Sequence, residues 1–337
     1  MKKIIFSIVC CLLATIQYAH ADEYGKIFLQ HAGKITNMFS GKEMDKAITT
    51  ATEGDTIFLS KGMFYSNFTI NKSITLIGSG SDTNNYYSDS YTYFSWNGES
   101  KIQADNDKEI ASVCIEGIRF SDDFRFRGKV NSVGIKKCYF QNGFYFDSGS
   151  NYQYNKITID RCRINNFGIN GNIQELTAKN CKISYLSGQG GITMASCNFI
   201  NCNVRQINTD TKAMLVNSVI NQVSDGASDF LGENAILVNT LYHALNGYDP
   251  MEKTSQQDCW STTETLISEN SGDIDCTMTA EQLKTAGYLG VDGTVIGVEG
   301  GVNPYSLTIH APSINSKSAT IDLSNKKVTI NVNVTAN

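Results

Sequence analysis

An eight-position pattern of apolar and polar residues recurs along this chain. In VGIKKCYF, Val133 to Phe140, apolar Val133, Ile135 and Phe140 and the small Cys138 hold fixed offsets, with polar residues between them. The pattern returns at 157–164, 176–183, 192–199, 213–220 and 235–242. Upstream, 113–120 and 57–64 fit it, and 74–81 fits all but the last position. Self-similarity at roughly 20-residue intervals predicts a solenoid, in which each coil buries its apolar side only against its neighbours.

Each copy reads as two short strands around a two-residue bend. In ITIDRCRI, Ile157 and Ile159 point inward on one strand and Cys162 and Ile164 on the next, while Asp160 and Arg161 turn the corner. Gly117, Asn180, Asn217 and Asn239 hold the second bend position in other coils, which predicts a left-handed backbone there. Three residues past the second strand, Phe167, Leu186, Cys202, Val223 and Leu245 are expected to form a third inward column, giving three strands per coil. Asn142, Asn166 and Asn201 precede that column and are expected to stack as an amide ladder. Outward, Glu116, Lys136, Asp160 and Lys179 alternate in sign from coil to coil, as packing pairs rather than as a site.

The ends of the chain depart from the frame. Ser40 and Glu43 make a capping box ahead of Met44, Ala47, Ile48 and Ala51, so a short helix is expected to plug the first coil. Past Asn246-Gly247 the pattern gives way to a polar stretch, 248–275. Thr279 and Gln282 form a second capping box, whose helix stops at Gly287. The tail alternates again in SLTIHA and VTINVNV, which predicts a small β appendage.

Low charge, three prolines and many turn-forming residues suit an all-β chain and argue against wholesale disorder. Residues 1–21 carry Lys2 and Lys3, an apolar run and Ala19-His20-Ala21, the layout of a cleaved secretory signal peptide. The mature chain is therefore expected to be exported, to an extracellular, periplasmic or cell-surface location, with no transmembrane segment. Loss of Lys2 and Lys3 takes the formal net charge from -5 to -7, which disfavours a nucleic-acid partner.

Eight cysteines follow the leader. Cys138, Cys162, Cys181 and Cys197 share one offset and are expected to stack about 4.8 Å apart as small buried side chains, with Ser218 and Thr240 replacing them later. A straight column cannot surround a metal ion, and its replacement by Ser and Thr does not suit a disulfide set. Cys259 and Cys276 fall outside the frame and are the expected disulfide. The organisation expected is a signal peptide over 1–21, a β-helix with its cap over 22–290, and a closing motif with strand appendage over 291–337, in a monomer.

Two stretches carry a family resemblance. Ala47 to Gly80 contains Gly54-Asp55-Thr56-Ile57, Gly62 and the strand Asn71 to Gly78, and Gly290 to Tyr305 contains Asp292-Gly-Thr-Val-Ile-Gly297 and Gly300-Gly301. They resemble the opening and closing stretches of secreted right-handed parallel β-helix proteins of the pectate-lyase-like superfamily. The resemblance implies an all-β, right-handed three-stranded parallel β-helix (solenoid) with an N-terminal capping helix and a small C-terminal β appendage. It says less about activity, because that opening serves enzymes and non-enzymes alike. The catalytic motifs of such enzymes are not intact: R-x-P-x-x-R, G-H-G and R-I-K are absent, and Asp122-Asp123 precedes Asn208-Thr209-Asp210 where polygalacturonases have the reverse order.

Lyases on this fold use a basic residue as proton abstractor, with carboxylates or calcium neutralising the sugar acid, so chemistry requires a cluster on one face. Asp122, Asp123, Arg125, Arg127 and Lys129 are expected to project from one loop, either as a site for an acidic sugar or Ca2+ or as a solvated loop with self-compensating charge. Arg205, Asp210, Asp225, Asp229 and His243 each follow their coil's second strand and so tend toward one face. Candidate catalytic residues are therefore Arg125, Arg205, Asp210, Asp225 and His243. In the aromatic loop 84–96, Tyr86, Tyr87, Tyr91, Tyr93 and Trp96 either stack on sugar rings or pack against the flank of the solenoid. Asp122, Asp123, Arg127, Tyr91, Tyr93 and Trp96 are the candidate substrate contacts. The expected function is binding of a polysaccharide or cell-surface glycan along a lateral face, extended to lyase-type cleavage of an acidic glycan. The alternative is a non-catalytic cell-surface or adhesive shaft.

Overall fold

Alternation of inward and outward residues carries through every coil in register. The computed structural model describes residues 24–81, 91–95, 98–105, 108–188, 196–208, 212–223, 235–244, 255–268, 274–308, 313–322 and 327–335. On the first side of the coil, Ile57, Leu76, Ile115, Ile135, Ile159, Ala178, Phe199, Leu215 and Leu237 align strand over strand, and all are buried. After the bend, Phe64, Phe94, Phe120, Phe140, Ile164, Ile183, Val204, Ile220 and Tyr242 form the second inward row. Its first four rings stack at 5.1, 5.6 and 5.2 Å, an arrangement worth about 0.5–1.5 kcal/mol per pair beyond the area it buries. Phe124, Phe144, Phe167, Leu186 and Ile207 form the third row. The strand Tyr139–Phe146 carries members of both later rows across an irregularity after Phe140. The chain is thus an all-β parallel solenoid with three inward rows per coil and very little helix.

The second bend position is left-handed, as expected. Its φ is +68° at Gly117, +49° at Lys137, +51° at Arg161, +49° at Asn180, +53° at Asn201, +52° at Asn217, +45° at Asn239 and +52° at Asp258. That conformation costs most L side chains about 1–2 kcal/mol and is easiest for Gly, Asn and Asp, which explains the bias of the column. In the outward column, Glu116, Lys136, Asp160 and Lys179 align coil to coil, although Asp160 takes Arg161 of its own bend as ion partner at 2.6 Å.

Register corrects one copy of the frame. Leu176 pairs with Cys197 and Ile183 with Val204, so the coil expected at 192–199 sits five residues later, at 197–204. Cys202, not Cys197, therefore joins Cys138, Cys162 and Cys181, Ile207 takes the third-row place assigned to Cys202, and Asn201 is at the bend rather than in an amide ladder. The column is also more than packing. Each member lies against the carbonyl two residues back: Cys138 Sγ at 3.2 Å, Cys181 Sγ at 3.1 Å, Cys202 Sγ at 3.4 Å, Ser218 Oγ at 2.9 Å and Thr240 Oγ1 at 3.0 Å. From Cys138 onward a small donor fills this position, so thiol and hydroxyl interchange, whereas buried Ile118 holds it in the coil before.

The column continues into one more coil than the sequence pattern indicated. Strands Ser255–Gln257 and Trp260–Thr262 extend both sheets, and Cys259 Sγ donates to Gln257 O at 3.4 Å. Cys259 and Cys276 are both free thiols. The expected disulfide is corrected: Cys259 belongs to the solenoid, while Cys276 bridges to Ile267 in the segment that leaves it.

At the N-terminal end, helix Met44–Thr50 buries Met44, Ala47 and Ile48, and Glu43 accepts from the Ser40 amide at 2.9 Å. Ahead of it, the hairpin Lys26–His31 and Lys34–Ser40 adds antiparallel to Thr56–Leu59. At the other end, a segment described at residues 264–268 and 274–308 returns along the outward side of the second row. Between Leu289 and Thr308 it is fastened in turn by Asn239, Asn217, Asn203, Asn180 and Lys137, at 3.3, 3.1, 3.3, 2.7 and 2.7 Å. Its own Leu266, Ile267, Ile274, Leu283 and Ile296 pack on outward Val219 and Leu241. The Thr279–Gln282 capping box is complete, at 3.2 and 2.8 Å. Strands Ser313–Asp322 and Lys327–Thr335 pair antiparallel with each other as a sheet of two.

Candidate functional site

Three sides of the solenoid differ in what they offer a partner. The first carries scattered polar and charged residues, and the second is roofed by the returning segment. On the third, the inward phenylalanines fix by parity which neighbours face out. Phe124 and Phe126 turn Asp123, Arg125 and Arg127 outward, Phe144 turns Tyr145 outward, and Leu186 turns Tyr185 outward.

Asp123–Arg127 is thus a strand, not the projecting loop expected, and its charges are mutually engaged. Arg125 meets Asp123 at 2.8 Å, Asp147 at 2.9 Å and Glu99 at 3.4 Å. Arg127 meets Glu99 at 2.6 Å and Asp147 at 2.9 Å, and Lys101 completes the set on Glu99 at 3.5 Å. Burial opposes the charge on Arg125, but bonds to Asp123 and Asp147 outweigh it and hold the guanidinium above its ordinary range. That is the reverse of what a proton abstractor needs. Asp122 lies beside this strand, its carboxylate accepting from Ser121 at 2.9 Å, and Lys129 is exposed beyond it.

Next to the ion network lies an aromatic and amide surface. The Tyr145 ring sits 4.5 Å from the Arg125 guanidinium and over two glycines: an added Cβ would stand 2.0 Å from it at Gly143 and 2.4 Å at Gly168. The ring lies down on the sheet because these two positions lack side chains. Burial and the nearby Asp123 and Asp147 raise the Tyr145 pKa, against Arg125. Tyr185 OH accepts from Asn208 at 3.3 Å. Asn166 donates to Asn142 O at 2.9 Å, Asn165 to Gln141 O at 2.7 Å, and Asn142 to Asp123 at 2.8 Å. No sequence motif marks Tyr145, Tyr185, Glu99 or Asp147. The F-x-F spacing of Phe124/Phe126 and Phe144/Phe146 was the available signal, since it fixes strand parity.

The other expected contacts fall elsewhere. Tyr91 is only 2% exposed and accepts from Arg119 Nη1 at 3.1 Å. Tyr93 and Tyr139 lie 5.2 and 5.0 Å from the same guanidinium, and Arg163 is 4.6 Å from the Tyr139 ring. Tyr91 is therefore corrected from a sugar contact to a packing residue, and Tyr93 belongs to the same Arg/Tyr stack on the second side. Register places Arg205, Asn221 and His243 in one column, with His243 Nδ1 donating to Asn221 O at 3.1 Å. Asp210, Asp225, Asp229, Tyr86, Tyr87 and Trp96 lie outside the described residues, as does the whole of 1–21.

Among the described residues no three His, Cys, Asp or Glu side chains converge as a metal set, and Glu99, Asp123 and Asp147 are turned onto arginines. No helix among them is long and apolar enough to cross a membrane. Comparison with protein-family models, curated proteins and solved structures finds no match.

Proposed function

We propose that this chain is an exported, pectate-lyase-like β-helix protein that binds polysaccharide along its third side. The observation that carries this reading is Tyr145, laid flat over Gly143 and Gly168, with Tyr185 two coils on in the column of Gly143 and Asn166 and a row of amides, on the side the returning segment leaves open. Amphipathic rings flanked by groups that both donate and accept suit sugar faces and their hydroxyls. Three carboxylates, Glu99, Asp123 and Asp147, face three cations, Lys101, Arg125 and Arg127, so the surface has no net basic field to select an acidic polymer. Neutral, hydroxyl-rich glycans are its preferred class, and cleavage is no part of the proposal.

Sedimentation with a panel of insoluble neutral and acidic polysaccharides, followed by assays for reducing ends and unsaturated uronates, tests this. Retention on a neutral polymer without product supports it. Unsaturated product from an acidic polymer, lost on Arg205→Ala, would replace it with the lyase reading. Retention on no polymer would favour a display shaft.

A further inference from the structure

Connections from the third row to the next first-side strand differ in length along the solenoid. Residues 104–108 link Gln103 to Glu109, Gly128 alone links Arg127 to Lys129, and residues 147–152 link Phe146 to Gln153. One minimal connection between two long ones leaves a notch, a cavity of about 460 Å³ floored by Gly128 and Lys129. Its size falls within the range of about 300–1,000 Å³ typical of small-ligand sites.

Floor and walls are built in place. Gly128 has φ +85°, and a Cβ there would stand 3.0 Å from that of Ala104, so only glycine keeps the connection this short. One wall turns through a bond from Lys108 N to Asp105 O at 3.0 Å. The other is held by Tyr152 N on Gly149 O at 3.1 Å and by the buried Tyr154 hydroxyl, which donates to Phe126 O at 2.6 Å and approaches Asp147 O at 3.0 Å.

The lining is unlike that of an apolar ligand site. Gln103, Asp105, Lys129, Ser150 and Asn151 bring donors and acceptors around one aromatic residue, Tyr152, which matches a small polyol whose hydroxyls do both. Gln103 is also in register with Arg127, so the notch opens off the strand ends of the third side.

We propose that this notch is a second saccharide position, taking the terminal or branch residue of a glycan that lies on the third side. The proposal rests on glycan binding by that side, and the test separates the two. The polysaccharide retained by the wild-type chain is hydrolysed, and its disaccharide is titrated into isotope-labelled full-length protein. Amide signals of 103–105, 128–129 and 149–152 are expected to shift. Ser150→Trp, which fills the notch from an exposed loop, is expected to weaken disaccharide binding roughly tenfold while polymer retention persists, and Tyr145→Ala to do the opposite. Shifts confined to other residues, or disaccharide binding unchanged in Ser150→Trp with polymer still retained, overturn the notch and leave the third side standing. Retention of no polymer overturns both. Mapping on the unmodified protein keeps the result independent of whether Ser150→Trp folds.

Discussion

Two neighbouring positions at the bend recur in the coils from Cys138 to Cys259: a residue at positive φ, and after it a small side chain whose donor meets the carbonyl behind. Cys162 is fully buried and its Sγ lies 3.4 Å from Asp160 O. Cys162→Ser preserves size and donor and is expected to cost about 1 kcal/mol or less in urea denaturation, whereas Cys162→Leu overpacks the column and is expected to cost about 1–3 kcal/mol. A thiol reagent gives a second check. Cys114, Cys259 and Cys276 are partly exposed and the other five cysteines after residue 21 are buried, so the native chain is expected to react at those three, and at the five buried cysteines only after unfolding. Loss of the Cys259 and Cys276 signals would mean a disulfide. The bend was legible in the sequence because few residue types tolerate positive φ. The identity of the thiol in the coil at 197–204 was not, because Cys197 and Cys202 both satisfy the apolar spacing and only register with Leu176 and Ile183 chooses between them.

The terminal elements show which parts of the fold local pattern can reach. The capping box expected at Ser40 and Glu43 is only half formed, since Glu43 accepts from the Ser40 amide but no side chain caps the helix. The Thr279–Gln282 capping box was readable because its partners lie three residues apart. The returning segment was not, since its apolar residues follow no period and its fasteners are distant: Asn221 Oδ1 accepts from the amides of Leu266 and Ile267 at 2.7 and 3.0 Å. Asn221→Ala strands two buried donors, and a loss of about 1–3 kcal/mol is expected, with faster hydrogen exchange at Leu266 and Ile267 than in the coils. At the opposite end, burial raises the pKa of Asp55, but bonds from the Thr52 amide, His31 and the Thr52 hydroxyl outweigh it and leave the carboxyl below its ordinary value. A depressed folded pKa contributes stability above the unfolded value and loses it as pH falls through the folded one. Acid unfolding is therefore expected to steepen below about pH 4, and Asp55→Asn to flatten that slope while lowering stability at neutral pH. An unchanged acid profile in Asp55→Asn would remove this cap from the account.

Across the whole molecule, three rows of inward side chains make a stiff body whose sides have different fates. The fold was legible because a repeat multiplies a weak local signal. The open side was not, because its residues come from coils about 20 residues apart and gain meaning only when stacked: Arg125 over Tyr145, Tyr145 over Gly168. The charged stretch around Asp123 was visible in the sequence, but its balance depends on Glu99 and Asp147 from neighbouring coils. Native electrophoresis through gels containing a retained neutral polysaccharide, comparing the wild-type chain with Tyr145→Ala and Tyr185→Ala, tests the central claim most directly. The account predicts that the polymer slows the wild-type protein and that each variant weakens the interaction roughly tenfold, about 1.4 kcal/mol, with unchanged thermal unfolding. Equal retardation of all three proteins would contradict it.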